Sequence, residues 1–400
     1  MRQAKIFILL CCASLLTSIG GFAQHLINYL PQEETFRNLT PSQRHYYNVV
    51  AAWEGASNPR LATINMELLR QKTVTFNFGH LALTAHQIPS DEFSTQGQRK
   101  SWSGAFPGAS GKAHLVFKKD QVVGHIQFED VAFLIKPLEG GLHLIVDWDM
   151  SLGDNCETPA DEHLQAVPSG GEAPKNHHFD NSDLMRKMAQ PKSGALAATG
   201  ECRVRVLVAY TDDVDAEFPD ILSEIEMLFT LANAAYAEGD DPGDPLDLRI
   251  ELATAYRVEY DEPADNNTGT MLNCWRETDD GCLDAVHAQR DLWDADQCAL
   301  IFTGNAGRAN GGPSNPATMF SVPGSNLFGH YTFHHELAHN AGCSHAKTQN
   351  EEPGSPPWAG FGHPSGCYRT IMAYGDACGQ GDCPRQNIFS DDDPLSWTCN

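Results

Sequence analysis

The segment "TFHHELAHNAGCSHA", residues 332–346, concentrates side chains that bind metal ions. His335 and His339 are four residues apart, so a helix places both imidazoles on the same face. Gly342 can adopt the left-handed backbone conformation that ends a helix, after which the chain can turn back and bring His345 to the same point. Three neutral imidazoles with one open position predict a catalytic zinc site, because structural zinc usually has four protein ligands.

The open position and the neighbouring carboxylate predict hydrolysis. Zinc lowers the pKa of a water molecule bound in that position, and Glu336 can accept the proton that the water loses. A non-catalytic, zinc-dependent binding or adhesion protein on the same scaffold is the alternative function. Glu336 disfavours this alternative, since metal retention alone requires no base there. A third interpretation is a small-molecule amidase or deacetylase. The extended histidine motif disfavours it, although metal ligands alone do not reveal which bond is cleaved.

The pattern resembles the zinc-binding consensus of the metzincin metalloendopeptidases, H-E-x-x-H-x-x-G-x-x-H, at every fixed position. This family also has a methionine-containing turn beneath the metal, and "CYRTIMAYGD" supplies a candidate at Met372. Tyr374 resembles the tyrosine of the Met-x-Tyr pattern in astacins and serralysins, which can ligate zinc and stabilise the oxyanion; a packed aromatic residue is the alternative. The cysteine-bearing segment around the turn, "GCYRTIMAYGDACGQGDCPRQNIFS", is similar to secreted bacterial metzincins of the reprolysin and peptidyl-Asp groups. Ala346 departs from the reprolysins, which usually have Asp there.

The resemblance implies an α/β (α+β) catalytic domain with a twisted, mostly parallel five-stranded sheet and an active-site helix. It also implies one catalytic Zn²⁺ and protein or peptide substrates. A substrate would pair with an edge strand that "ATMFSVPG" indicates, at Met319, Phe320, Ser321 and Val322. A preference for acidic residues, as in the peptidyl-Asp group, would need a cation in the specificity pocket, for which Arg369 is the candidate.

Strands and helices alternate in the second half of the chain. "CRVRVLVAYT", "LDLRIELATAYRVEY" and "CALIFTG" have the composition of strands, while "FPDILSEIEMLFTLANAAYAEG" and "CLDAVHAQRDLWDA" have helical periodicity. This alternation predicts a largely parallel sheet flanked by helices.

The first half has a different character. Residues 24–150 contain short alternating segments such as "TVTFNF" and "VVGHIQF", which predict an antiparallel β-meander. This part is similar to reprolysin-type propeptides, so the resemblance implies a zymogen. A polar segment rich in Pro and Gly follows, in which Arg186-Lys187 is a candidate activation site. The predicted division is a signal peptide at 1–23, a β-rich propeptide at 24–155, a linker at 156–200 and a metzincin zinc peptidase domain at 201–400.

The N-terminus predicts export. "MRQAKIFILLCCASLLTSIGGFAQ" has a basic start, a short apolar stretch and small residues before a cleavage site, so the mature chain is expected to begin at Gln24. No apolar stretch is long enough for stable membrane insertion. The excess of 52 acidic over 27 basic residues disfavours nucleic acid and anionic membranes as partners. A secreted monomer is expected, and the acidic loops "EGDDPGDPLD" and "SDDDP" are candidate Ca²⁺ sites.

The chain has 12 cysteines, and export to an oxidising compartment favours disulfides between them. Cys343–Cys367 and Cys378–Cys383 are the predicted pairs. Cys156 has two interpretations. Its thiolate could occupy the open position of the zinc and silence the precursor, as in several metzincin zymogens. Alternatively, it could form a disulfide, for which Cys202 is the candidate partner.

Overall fold

A computed structural model describes most of the chain. The described residues are 25–79, 81–88, 99–153, 156, 202–238, 248–311, 318–345, 360, 368–378 and 383–389. The predicted signal peptide, the predicted cleavage site at Arg186-Lys187, the acidic loops at 239–247 and 390–394, and Cys367 lie outside these residues.

The N-terminal half, which comprises the described residues from 25 to 156, contains two short helices. They are α1 (Gln32–Arg37) and α2 (Pro41–Ala51), and Met66–Arg70 form a 3-10 helix. Thr40 caps α2, since its Oγ1 accepts a hydrogen bond from the Gln43 backbone N–H while Gln43 Oε1 accepts one from the Thr40 N–H.

Alternating strands form most of this half, as predicted. Among the described residues, nine strands make one sheet in the order β1-β2-β9-β8-β7-β6-β5-β4-β3, and every neighbouring pair is antiparallel. Positive φ angles at Lys119 and Glu129 allow the tight turns from β6 to β7 and from β7 to β8. The strands are β1 (Ile27–Tyr29), β2 (Ala56–Ile64), β3 (Thr73–Phe78), β4 (Leu81–Gln87), β5 (Lys100–Ala105), β6 (Lys112–Lys118), β7 (Gln121–Phe128), β8 (Val131–Leu138) and β9 (Leu142–Trp148).

The C-terminal half, the described residues from 202 to 389, contains a second sheet flanked by helices. The sheet has the order β11-β10-β12-β14-β13, and its pairs are parallel except β13 with β14. The strands are β10 (Cys202–Thr211), β11 (Leu248–Val258), β12 (Gln297–Ile301), β13 (Gly307–Ala309) and β14 (Phe320–Pro323). The helices are α3 (Asp212–Glu217), α4 (Ile221–Glu238), α5 (Thr268–Arg276), α6 (Ala285–Leu292) and α7 (Thr332–Asn340), with 3-10 helices at Ser325–His330 and Gly375–Ala377. A mixed α/β fold with an antiparallel N-terminal sheet is therefore confirmed.

The edge of the second sheet differs from the prediction. Met319 precedes β14, and Phe320, Ser321 and Val322 lie in β14, between β12 and β13. The expectation that these residues form the edge is wrong. The glycine-rich stretch before β14 supplies an antiparallel strand that covers it, so that β13 is the edge strand in the described part of the chain.

Helix α4 lies between the two sheets. It packs on β11 of its own half and on β6 and β7 of the N-terminal half. The sequence pattern predicts one apolar face through Ile225 and Leu228, but Met227 and Leu231 are buried as well. A helix that is apolar around most of its circumference needs two packing surfaces, and the N-terminal sheet supplies the second.

Buried charges accompany this contact between the halves. Lys136 Nζ lies 2.7 Å from Glu224 Oε2, with both side chains almost completely buried. The guanidinium of Arg99 lies 3.1 Å from Asp220 and 3.7 Å from Glu226. A single hydrophobic cluster continues from the N-terminal sheet into the C-terminal half. No helix in the described ranges is long and apolar enough to cross a membrane.

The cysteines follow the prediction in part. The Cys378–Cys383 disulfide is confirmed. A second disulfide, Cys274–Cys282, joins the end of α5 to the loop that follows and was not predicted. The predicted Cys343–Cys367 bond is wrong, because Cys343 is a thiol that packs against the core, where burial raises its pKa to about 11.

Candidate metal centre

Helix α7 carries the first two histidines of the predicted site. It begins after Tyr331, whose φ of 67° is left-handed, and all its residues are buried. Gly342 has a φ of 97°, as the sequence predicts, and its N–H donates to His339 O at 2.9 Å. His334 points away from the site, since its Nε2 lies 2.9 Å from Asn387 Oδ1.

The three predicted imidazoles converge. His339 Nε2 lies 3.1 Å from His335 Nε2 and 3.0 Å from His345 Nε2. Two backbone carbonyls fix the opposite ring nitrogens: His335 Nδ1 donates to Ile371 O and His339 Nδ1 donates to Cys343 O, each at 2.8 Å. The Nε2 lone pairs of these two rings therefore point to one place, as the ligands of a metal ion do.

This donor set fits zinc. Burial lowers the pKa of His335 well below its usual value and that of His345 to about 3, so both rings are held in the neutral form that ligates. Lone pairs that face one another at this distance repel unless a cation lies between them. In a tetrahedral site with zinc–nitrogen bonds of about 2.0–2.1 Å the nitrogens are about 3.3 Å apart, which is close to the observed separations.

Cys156 joins the three histidines. Its Sγ lies 3.5 Å from His339 Nε2, and the four ligand atoms all lie within 4.8 Å of one another. Cys156 is a thiol in this structure, so the alternative disulfide with Cys202 is not formed. The backbone of Cys156 makes a parallel bridge with Gly307 of β13. Cys156 is thus held at the edge strand through its backbone and lies at the histidines through its sulfur.

Glu336 lies beside the first ligand, and Gly307 provides the room for its carboxylate. A Cβ at Gly307 would come within 2.3 Å of Glu336 Oε1 and 2.7 Å of Thr332 Cγ2. Sequence reasoning missed this role of Gly307, although the residue lies in the glycine-rich stretch before β14.

Met372 and Tyr374 belong to the loop on the other side of the histidines. Met372 is buried, and the residue before it accepts the hydrogen bond from His335. The ring centroid of Tyr374 lies 4.4 Å from that of His345, and its hydroxyl donates to Cys156 O at 2.7 Å. Burial and the nearby Cys156 raise the pKa of Tyr374, which keeps its hydroxyl a donor.

Two buried arginines bind the segment that precedes Cys156. Arg369 Nη2 donates to the carbonyls of Ser151 and Leu152 at 2.9 and 2.8 Å. Arg385 Nη1 donates to Gly153 O at 2.9 Å. Arg369 is the cation that the sequence suggested, whereas Arg385 was missed because nothing in its local sequence distinguishes it.

The chain has sequence relatives among curated proteins. It is 31% identical over 284 residues to a peptidyl-Asp metalloendopeptidase of Xanthomonas campestris pv. campestris, a match that covers 70% of this chain and 61% of the relative. A protein of the same name from Stenotrophomonas maltophilia is 30% identical over 288 residues, covering 69% of this chain and 62% of the relative. The matches thus span about three fifths of the length of these relatives.

Other comparisons add little. No family model matches the chain. The crystal structure of metalloproteinase-II from Bacteroides fragilis aligns with 69% of this chain and 81% of its own, at 14% identity and a TM-score of 0.36. The sequence relatives support the resemblance to the metallopeptidases, and the chain is related to the peptidyl-Asp metalloendopeptidases.

Proposed function

We propose that this chain is a secreted zinc endopeptidase that is made as an inactive precursor. The observation that carries the proposal is the convergence of His335, His339 and His345 on one point with the buried carboxylate of Glu336 beside it. The three histidines would hold the zinc. When bound, zinc would polarise the substrate carbonyl and lower the pKa of a water molecule.

The protein groups around this point supply proton transfer and orientation. Glu336 would accept the proton of the attacking water on a carboxylate oxygen and pass it to the leaving nitrogen. Tyr374 donates its hydroxyl to the carbonyl oxygen of Cys156. With a substrate bound, the Tyr374 hydroxyl would donate in the same way to the carbonyl oxygen of the cleaved bond, where negative charge develops.

The precursor would be silent because its own chain occupies the cleft. Cys156 Sγ would fill the fourth coordination position and exclude water, and the bridge to Gly307 blocks the edge strand β13. This assigns residues 24–155 to a propeptide, 156–200 to a linker and 201–400 to the peptidase domain. Cleavage in the linker, for which Arg186-Lys187 is the candidate, would begin activation.

Polypeptide substrates fit this cleft better than small molecules do. Residues 151–153 and Cys156 of the N-terminal half are already held there through backbone carbonyls and a backbone bridge, which are contacts that any peptide can make. The relatives are named for cleavage at aspartate. We therefore assign proteins with acidic residues near the cleaved bond as the substrate class.

Export follows from the N-terminal sequence and agrees with the two disulfides of the described residues. The mature chain would begin at Gln24. N-terminal sequencing of the protein recovered from the culture medium tests this assignment, and retention of Met1 in that protein would contradict it.

A casein cleavage assay on the proteolytically activated chain tests the enzymatic function. We expect cleavage that a chelator abolishes and added Zn²⁺ restores. Glu336→Gln should keep one zinc per chain and an unchanged melting temperature, yet lose at least about 99% of the activity, because general acid–base catalysis contributes about 10²–10⁴-fold. His345→Ala is the matched variant, which should instead lose the metal. Substantial activity in Glu336→Gln would refute the general base, and zinc retention without any proteolysis would favour the binding-protein alternative.

A further inference from the structure

We propose that Arg385, rather than the sequence candidate Arg369, binds the carboxylate of the acidic substrate residue next to the cleaved bond. The inference rests on the proposed function, because it assigns the specificity of that same site. It also gives the peptide segment that precedes Cys156 a second role, as the occupant of the specificity pocket in the precursor.

Arg385 is buried and held by carbonyls. Its side chain is 1% exposed, and its Nη1 donates to Gly153 O at 2.9 Å and to His330 O at 3.0 Å, while Nη2 donates to Ala373 O at 3.2 Å. A buried guanidinium is stable only where acceptors surround it. One of these acceptors, Gly153 O, belongs to the N-terminal half and leaves with it when the precursor is activated.

The position of Arg385 relative to the metal centre is fixed at both ends. Ala373 lies between Met372 and Tyr374, the residues of the loop beside the histidines. Gly153 is three residues before Cys156, and three residues of extended chain reach about 10 Å at most. The backbone of Gly153, to which Arg385 Nη1 donates, therefore lies no more than about 10 Å from Cys156, which meets the histidines.

Arg369 binds the same segment farther from Cys156. Its acceptors are the carbonyls of Ser151 and Leu152, five and four residues before Cys156. The backbones of Arg369 and Arg385 are paired in a parallel bridge, so the two side chains follow the bound segment in order. Arg385 is the cation nearer to the reacting bond, which makes Arg369 its natural control.

A carboxylate is the substrate group that best replaces the Gly153 carbonyl at Arg385. An arginine presents a planar fork that matches the two oxygens of a carboxylate and binds them more strongly than it binds a single neutral carbonyl. An aspartate side chain in the place of the Gly153 carbonyl would thus complete the coordination of Nη1 and add charge pairing. Asparagine has the same shape but offers one neutral oxygen and one repelling amide donor.

The test compares two peptides that differ only in Asp against Asn at the residue next to the cleaved bond. Wild-type enzyme activated from the full chain should cleave the Asp peptide with a kcat/KM about 10- to 100-fold higher, as expected for a hydrogen bond to a charged group. Arg385→Gln should bring the ratio of the two kcat/KM values close to one, and a zinc content of one per chain would show that the metal centre is retained. Arg369→Gln should keep the wild-type ratio. A full Asp preference in Arg385→Gln, or its loss only in Arg369→Gln, would overturn the assignment.

A second measurement uses the wild-type protein and does not depend on the variant folding. Phenylglyoxal modifies accessible arginines, and peptide mapping by mass spectrometry locates the adducts. In activated enzyme, an Asp peptide carrying a non-cleavable bond should protect Arg385 from modification, whereas the Asn peptide should not. Equal protection by both peptides, or none, would refute the assignment. Failure to cleave either peptide with wild-type enzyme would instead refute the proposed function on which it rests.

Discussion

At the scale of single residues, the position of the Glu336 carboxylate depends on Gly307. The α-carbon of Gly307 faces both the carboxylate of Glu336 and the methyl group of Thr332, and no side chain fits between them. The same residue bridges to Cys156 through its backbone. Gly307 therefore both pairs with Cys156 at the edge strand and leaves room for the Glu336 carboxylate.

Gly307→Ala should move the Glu336 carboxylate without removing the metal. A Cβ placed 2.3 Å from Glu336 Oε1 forces the carboxylate away, and a displacement of about 1 Å in a catalytic group can cost about 100-fold in rate. We expect one zinc per chain with kcat reduced to that extent. Gly269→Ala in α5 is the control, since its Cβ would meet no heavy atom closer than 3.2 Å. Loss of zinc in Gly307→Ala would show that the glycine supports the ligands instead.

At the scale of secondary structure, the edge strand β13 and the loop at Met372 hold the segment before Cys156 from both sides. Gly307 of the strand makes the backbone bridge to Cys156, and Arg369 and Arg385 bind carbonyls of residues 151–153. The thiol thus belongs to a part of the chain that is also held through its backbone at residues 151–153 and 156.

Cys156→Ser should change the metal spectrum of the precursor more than its activity. In the cobalt-substituted precursor we expect the sulfur-to-cobalt charge-transfer absorption to disappear. The uncut precursor should stay below about 10% of the activated rate, because the arginine contacts keep the segment docked. Cys298→Ser, at a buried thiol in β12, is the control that should leave the spectrum unchanged. An unaltered spectrum in Cys156→Ser would exclude sulfur ligation, and full activity would show that the thiol alone maintains inhibition.

At the scale of the whole molecule, one hydrophobic cluster and the buried Lys136–Glu224 pair join the two halves. Burial raises the pKa of Glu224, and Lys136 counteracts the rise. Removal of one partner would leave the other charge buried without its counter-ion, which is costly, whereas removal of both is often neutral.

Lys136→Met should loosen the N-terminal half. We expect a loss of about 3–5 kcal/mol in the free energy of unfolding, measured by urea denaturation. After a cut in the linker, the wild-type halves should co-elute on size exclusion, while the variant halves separate more readily. The double variant Lys136→Met, Glu224→Leu should recover most of the stability. A single variant as stable as wild type would show that the pair contributes nothing to the contact.

Acid should weaken the contact between the halves through buried neutral histidines. Burial lowers the pKa of His330 to about 3 and that of His125 to about 4, while the unfolded chain binds protons near pH 6.5. The folded pKa values are depressed, so the stability they contribute is complete above about pH 6.5 and is lost as the pH falls toward 4, by about 1.4 kcal/mol per pH unit for each histidine. The urea midpoint should drop between pH 7 and pH 5, and His330→Gln should reduce the drop. A midpoint independent of pH over this range would contradict the prediction.

Local sequence determined the parts of this protein that depend on spacing along the chain. The four-residue interval of His335 and His339 on a helix, the turn at Gly342 and the return of His345 follow from backbone geometry, and the structure brings them together as predicted. The alternation of strands in the first half and of strands and helices in the second is likewise local, because each element reveals its own period.

Tertiary structure alone decided which distant segments meet. β13 displaced the predicted edge at Met319–Val322 because three residues of a glycine-rich stretch turned back to pair with it, and a strand that short leaves no periodic signal. Arg385 reached the cleft, and Cys343 stayed a thiol, for the same reason: each depends on partners far along the chain. Such contacts join residues that are far apart in the sequence, so a local pattern cannot reveal them.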